Sequence, residues 1–245
     1  VLLITGEAGI GKTSLTGRAV QEARSEGLTV LHGACWDADS TPGYWPWTQV
    51  IRSLRRSARA QTWEAASEAA GAAWEVLLGV SGAEDVERFQ LFDAVTTLLV
   101  TAAQHEPVLV VLEDVHWADP ASVALLEFAA QHLSLERALI LATCRDVEIE
   151  RPDHPSRDRL RSLMTRATTL ALPGLGAADV AELMHRTASR APDDGLVTEV
   201  LRRTGGNPFF VQETARLWAG GHEVTAVSPG LHGYAVGWPR QPTPS

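Results

Sequence analysis

Gly6-Glu7-Ala8-Gly9-Ile10-Gly11-Lys12-Thr13 satisfies the pattern G-x-x-x-x-G-K-[ST] without a mismatch. The apolar run Val1-Leu2-Leu3-Ile4 precedes it, and a helix-patterned stretch from Ser14 to about Glu26 follows. That is the strand–loop–helix setting in which the pattern cradles phosphate. Each residue type has a physical reason. Glycines let backbone N–H groups turn inward around an anion, and the helix N-terminus adds partial positive charge. A lysine ammonium reaches outer phosphates as a compact point charge, and a threonine hydroxyl suits Mg²⁺. Lys12 is the only lysine in the chain, every other basic side chain apart from histidine being arginine. The candidate nucleotide-binding set is therefore Gly6, Glu7, Ala8, Gly9, Ile10, Gly11, Lys12, Thr13 and Ser14.

Outward from this loop, short apolar runs alternate with helical periods. Candidate strands are 1–5, 28–32, 108–112, 139–143 and 168–172. The third and fourth are almost continuously apolar, as strands covered on both faces are. Candidate helices are 13–26, 47–59, 62–78, 86–104 and 121–133. Phe89, Phe92, Val95, Leu99 and Ala102 recur near a helical period, and Leu125, Leu126, Phe128 and Ala129 mark a broad buried face. Strands alternating with helices predict right-handed crossovers and a parallel sheet, an α/β fold. From about Gly174 the pattern is helical only, with helices expected over 177–190, 194–204 and 208–218. Beyond about Gly220 the Pro/Gly punctuation predicts little fixed structure. The expected division is 1–173 for the α/β core, 174–220 for a helical subdomain and 221–245 for a poorly ordered tail.

Composition bounds the rest. The 245 residues are 45% hydrophobic, and the mean hydropathy of -0.04 fits a soluble globular chain. A net charge of -9 argues against nonspecific nucleic-acid binding by the whole chain. The arginines 52, 55, 56 and 59 read as a solvated helix face. Cys35 and Cys144 have neither metal-ligand spacing nor a disulfide framework. With no signal peptide and no long apolar span in the sequence, the expected compartment is cytoplasmic, with no membrane partner. The opening at Val1, already in a strand, predicts a piece of a longer protein.

A second motif completes the candidate site. Val108-Leu109-Val110-Val111-Leu112-Glu113-Asp114 is an apolar strand ending in two acids. Ligands of open parallel sheets gather at strand carboxyl ends. There one carboxylate can serve a metal shell while the next orients or activates water. Asp114 is the candidate for the water and Glu113 for the metal shell, with exchange of the two roles left open.

The continuation, Leu112-Glu113-Asp114-Val115-His116-Trp117-Ala118-Asp119-Pro120-Ala121-Ser122, resembles the extended Walker B of the STAND branch of AAA-related ATPases. These modules occur in large bacterial LuxR-type transcriptional regulators and some class III adenylate cyclases. The Gly6–Thr13 loop and the segment from Cys35-Trp36 to Tyr44-Trp45-Pro46-Trp47 resemble the same family. So do Ala142-Thr143-Cys144-Arg145, its sensor strand, and Gly205-Gly206-Asn207-Pro208-Phe209-Phe210, its GxP-type motif. The resemblance spans roughly residues 1 to 220, with the motifs in order. Glu113 departs from it, since the wider class has aspartate there, and no winged helix is recognisable after Trp218.

The resemblance implies a P-loop NTPase fold with a five-stranded parallel sheet of order 5-1-4-3-2 and a C-terminal helical subdomain. It implies Mg²⁺-dependent ATP binding and slow hydrolysis that serves as a signalling switch, with self-association through the module. Lys12, Glu113, Asp114 and Arg145 are then the catalytic candidates, and Thr13, Glu113 and Asp114 the metal candidates. Gly206 and Pro208 join the nucleotide contacts on the resemblance alone. ATP is favoured over GTP because no N-K-x-D occurs. DNA would be met only through a domain outside this chain. The rivals are a nucleotide-binding scaffold that does not hydrolyse, a DNA-associated regulator in its own right and a small-molecule kinase. His116 reads as a loop-fixing residue packed with Trp117, and Asp119 as the cap of the helix after it.

Overall fold

The computed structural model describes residues 1–36, 42–79 and 86–221. It divides into two compact units, Val1–Leu172 and Pro173–Ser245. The first unit holds strand β1 (Leu2–Thr5), helix α1 (Lys12–Ser25), β2 (Thr29–Ala34), α2 (Trp45–Ser57) and α3 (Ala60–Ala70). It continues through α4 (Arg88–His105), β3 (Val108–Glu113), α5 (Pro120–His132), β4 (Ala138–Cys144), α6 (Asp146–Ile149), α7 (Arg157–Arg166) and β5 (Thr168–Ala171). The second holds α8 (Ala177–Ala188), α9 (Asp194–Thr204) and α10 (Pro208–Ala219).

All four strand pairings are parallel, and the order is β2-β3-β4-β1-β5. This is the expected sheet, and it sets the two motif strands, β1 and β3, on either side of β4. Adjacent strands alternate their side chains between two apolar layers. Ile4, Val30, Leu109, Val111 and Leu141 pack under Ala19, Val20 and Ala23 of α1. The other face, including Leu31, Val110, Leu112 and Ala142, joins α2, α4 and α5 in the larger core. In that core Trp47 is fully buried and donates its indole N–H to Ser122 O at 3.0 Å. Gly33 is required where α2 meets β2, because a Cβ there would lie 2.4 Å from Pro46 O.

The elements depart from the sequence expectation in two places. The helix expected over 62–78 ends at Ala70, where Gly71 (φ 65) breaks it, and Ala73–Leu78 is a 3-10 helix. Helix α7 fell where only a connection was expected. Its sequence RDRLRSLMTR buries Leu160 and Leu163 and is otherwise charged or polar enough to blur a helical period. Phe89 on α4 is 66% exposed and packs edge-on at 5.9 Å from Phe128. The second unit has its own core of Val180, Met184, Val197, Val200, Val211 and Ala215. The disorder expected beyond Gly221 lies outside the described residues.

Candidate functional site at the carboxyl ends of the sheet

The loop between β1 and α1 is shaped by glycines, Gly6, Gly9 and Gly11 all having positive φ. Gly11 (φ 108) caps α1 without any side-chain hydrogen bond, and a Cβ there would meet nothing within 4 Å. The first N–H groups of α1 therefore face an open cradle, which is what an anion requires. Lys12 is 7% exposed, and its Nζ donates to Gly6 O at 2.7 Å and Glu7 O at 2.8 Å. The ammonium is thus held across the loop, while Thr13 and Ser14 are exposed on the first turn.

The two acids leave β3 in different environments. Glu113 ends the strand, and its Oε1 lies 3.5 Å from His32 Nε2 on β2. That close contact with the His32 ring pulls the Glu113 carboxyl below its ordinary range, against burial, which raises it. Asp114 sits in the left-handed region (φ 54, ψ 48), a conformation an aspartate adopts at a cost. Its backbone N–H donates to Thr143 Oγ1 at 2.9 Å. Burial raises the Asp114 carboxyl, and Arg145 and then Lys12 draw it back down. Asp114, Arg145 and Lys12 therefore share one electrostatic neighbourhood although they come from three different strand ends.

Arg145 follows β4, and its backbone N–H donates to His116 Nδ1 at 3.3 Å. Its Nε is buried without a hydrogen-bond partner among the described residues. His116 is 2% exposed and packs on Trp117 with ring centroids 5.1 Å apart. Burial, aided by Arg145, pushes its pKa down to about 3, so the ring is neutral and structural. His154 Nε2 donates to His116 O at 2.8 Å, which ties the segment before α7 to this turn. Asp119 caps α5 by accepting from Ala121 N and Ser122 N, and it also accepts from Tyr44 N at 3.1 Å. The Cys35 thiol is raised to about 12 by burial and then by Asp119 and Asp114, so it is not a nucleophile.

Two residues at the site carry little sequence signal. Thr143 fixes the Asp114 backbone and is 2% exposed. In the sequence it shows only as one polar side chain in the apolar run ALILATC. His32 left no signal, because nothing in TVLHGA marks a partner 81 positions away at Glu113. Gly206 and Pro208 lie in the second unit. There Gly206 O accepts from Leu175 N at 2.8 Å, and Pro208 opens α10 behind the Asn207 cap.

A parallel sheet of this order with a phosphate-type loop after β1 and acids after β3 defines a P-loop NTPase fold. The AAA ATPase domain model matches residues 1–142. The chain belongs to that family and is an ATP-binding ATPase module. It is 27% identical over 239 residues to an uncharacterized protein of Rhizobium meliloti (strain 1021), an alignment covering 87% of this chain and 22% of that protein. Among solved structures it resembles a STAND protein with a tetratricopeptide repeat sensor from Pyrococcus horikoshii (18% identity, 84% of this chain, 26% of that one, TM-score 0.49). It also resembles AMPPCP-bound DnaA from Aquifex aeolicus (15% identity, 88% and 53%, TM-score 0.48). A third is Cdc6p from Pyrobaculum aerophilum (13% identity, 90% and 56%, TM-score 0.48).

Among the described residues no helix is long and apolar enough to cross a membrane. No group of three or more His, Cys, Asp or Glu among them forms a metal cage. The donors at this end of the sheet nevertheless fit a magnesium ion, which uses few protein oxygens together with phosphates and water. Thr13 is an exposed hydroxyl, and Glu113 is a carboxylate shifted toward its ionised form.

Proposed function

We propose that this chain is the nucleotide-operated switch of a larger regulatory protein of the STAND type, binding ATP with Mg²⁺ and hydrolysing it slowly. The observation that carries the reading is the shared field of Lys12, Asp114 and Arg145 beside an uncapped helix N-terminus. The loop N–H groups and Lys12 bind the phosphates, with Gly6 through Ser14 as the contacts. Thr13 and Glu113 hold the metal shell, where the ion would neutralise phosphate charge. Asp114, raised by burial, accepts hydrogen bonds from the attacking water, and Arg145 offsets charge developing on the γ-phosphate. The exchange of ATP for ADP would change the output of attached domains, including self-association. The chain's 22% share of its Rhizobium meliloti relative supports a module within something longer.

The test is phosphate release from ATP by the wild type, Asp114→Ala and Lys12→Ala. Asp114→Ala is expected to bind nucleotide and to lose about 100-fold or more in turnover. Normal hydrolysis by that variant contradicts the role given to Asp114. Nucleotide binding with no release by the wild type would favour the non-hydrolysing scaffold.

A further inference from the structure

We infer that His32, on the edge strand β2, is a positioning residue that holds the Glu113 carboxylate where it can serve a nucleotide-bound divalent cation. The inference rests on the metal-shell reading of Glu113 given above. Strand register carries the geometry. His32 pairs with Val111 and Ala34 with Glu113, so His32 and Glu113 are diagonal neighbours on one face of the sheet. That is the face of Val30, Leu109 and Val111, which α1 covers. Helix α1 begins at Lys12 and Thr13. The His32–Glu113 pair therefore stands at the carboxyl end of the same layer from which the phosphate loop departs.

The contact does what a longer acid needs. A glutamate side chain gives up rotamer freedom when it is fixed. His32 Nε2, 3.5 Å from Oε1, supplies a neighbour on an adjacent strand that restricts that freedom in advance. A carboxylate has about four lone-pair sites, so one histidine contact leaves Oε2 and part of Oε1 open. The histidine side chain is 47% exposed and Glu113 is 25% exposed, so the pair borders solvent rather than filling the core. A merely structural pair would contribute to sheet stability and leave the cation requirement untouched.

The experiment is a titration of ATP into the full chain across a magnesium series that begins in chelator, with a melting curve for every variant. His32→Ala is expected to raise the half-saturating Mg²⁺ concentration about tenfold, the usual effect of removing a group that orients a ligand. ATP affinity in chelator should stay unchanged. His32→Gln, which keeps a donor at similar reach, should return the magnesium requirement to within about threefold of wild type. In Glu113→Ala the requirement should rise as well, and adding His32→Ala should then change nothing more.

An unchanged or lowered requirement in His32→Ala, while Glu113→Ala raises it, overturns the inference and leaves the metal-shell reading standing. No effect of Glu113→Ala overturns both. A lower melting temperature in His32→Ala with an unchanged magnesium requirement identifies the pair as structural and overturns the inference.

Discussion

Two glycine-rich turns in this chain lead into helices, and they are built in opposite ways. At Gly6–Gly11 the turn is open: a Cβ on Gly11 would meet nothing within 4 Å, and α1 starts with no side-chain cap. At Gly205–Gly206 the turn is closed. A Cβ on Gly206 would lie 2.2 Å from Leu175 O, and one on Gly174 would lie 2.0 Å from Gly205 O. Helix α10 there is capped by the Asn207 side chain, which accepts from Phe209 N. The first turn leaves the start of α1 uncapped and holds a buried lysine across it through Gly6 O and Glu7 O. The second spends its glycines on backbone contact and satisfies its own helix. Glycine followed by a helix is thus not itself a phosphate site; open space, a missing cap and a held cation make it one.

The largest effect expected from breaking this contrast is at Lys12. Lys12→Ala should weaken Mg-ATP binding by roughly 10- to 100-fold, from loss of charge-assisted hydrogen bonds, with the fold kept. Calorimetric titration checks this, and wild-type affinity would remove Lys12 from the site.

Gly206→Ala should destabilise the second unit by about 1–3 kcal/mol or more, since the added methyl meets backbone on both sides and φ is 75. Gly11→Ala has strain but no clash, so denaturant unfolding should show a smaller loss, about 1 kcal/mol, while nucleotide affinity falls. Equal unfolding losses in the two variants would erase the distinction between open and closed turns.

Asn207→Ala removes a cap and should cost about 1 kcal/mol of stability in the second unit. Thr13→Ala, at an exposed position of an uncapped helix, should leave apo stability within about 0.5 kcal/mol. It should nevertheless raise the magnesium needed for nucleotide binding. A Thr13→Ala variant with an unchanged magnesium requirement would exclude its hydroxyl from the metal shell.

How far the sequence could be read follows from the same physics. The parallel sheet was legible because β3 and β4 are continuous apolar runs and the loop after β1 has a demanding pattern, whereas its order followed only from the family resemblance. The difference in environment between Glu113 and Asp114 was not legible. Two adjacent acids look alike in a sequence, whereas His32 lowers one carboxyl and burial raises the other. Helix α7 was illegible because Leu160 and Leu163 are too few to set a period among its charges. Thr143 and His32 act on residues far along the chain, and only strand register brings them there.

The central claim is that the open turn is a nucleotide site. It is tested most directly by thermal unfolding with and without Mg-ATP, on the wild type and on Lys12→Ala. A ligand that binds only the folded chain stabilises it by about 2.7 kcal/mol at a hundredfold excess over Kd. The account predicts a raised midpoint in the wild type and a clearly smaller rise in Lys12→Ala at the same ATP concentration. A cooperative melt whose midpoint ignores Mg-ATP in the wild type, or rises equally in both proteins, would contradict it.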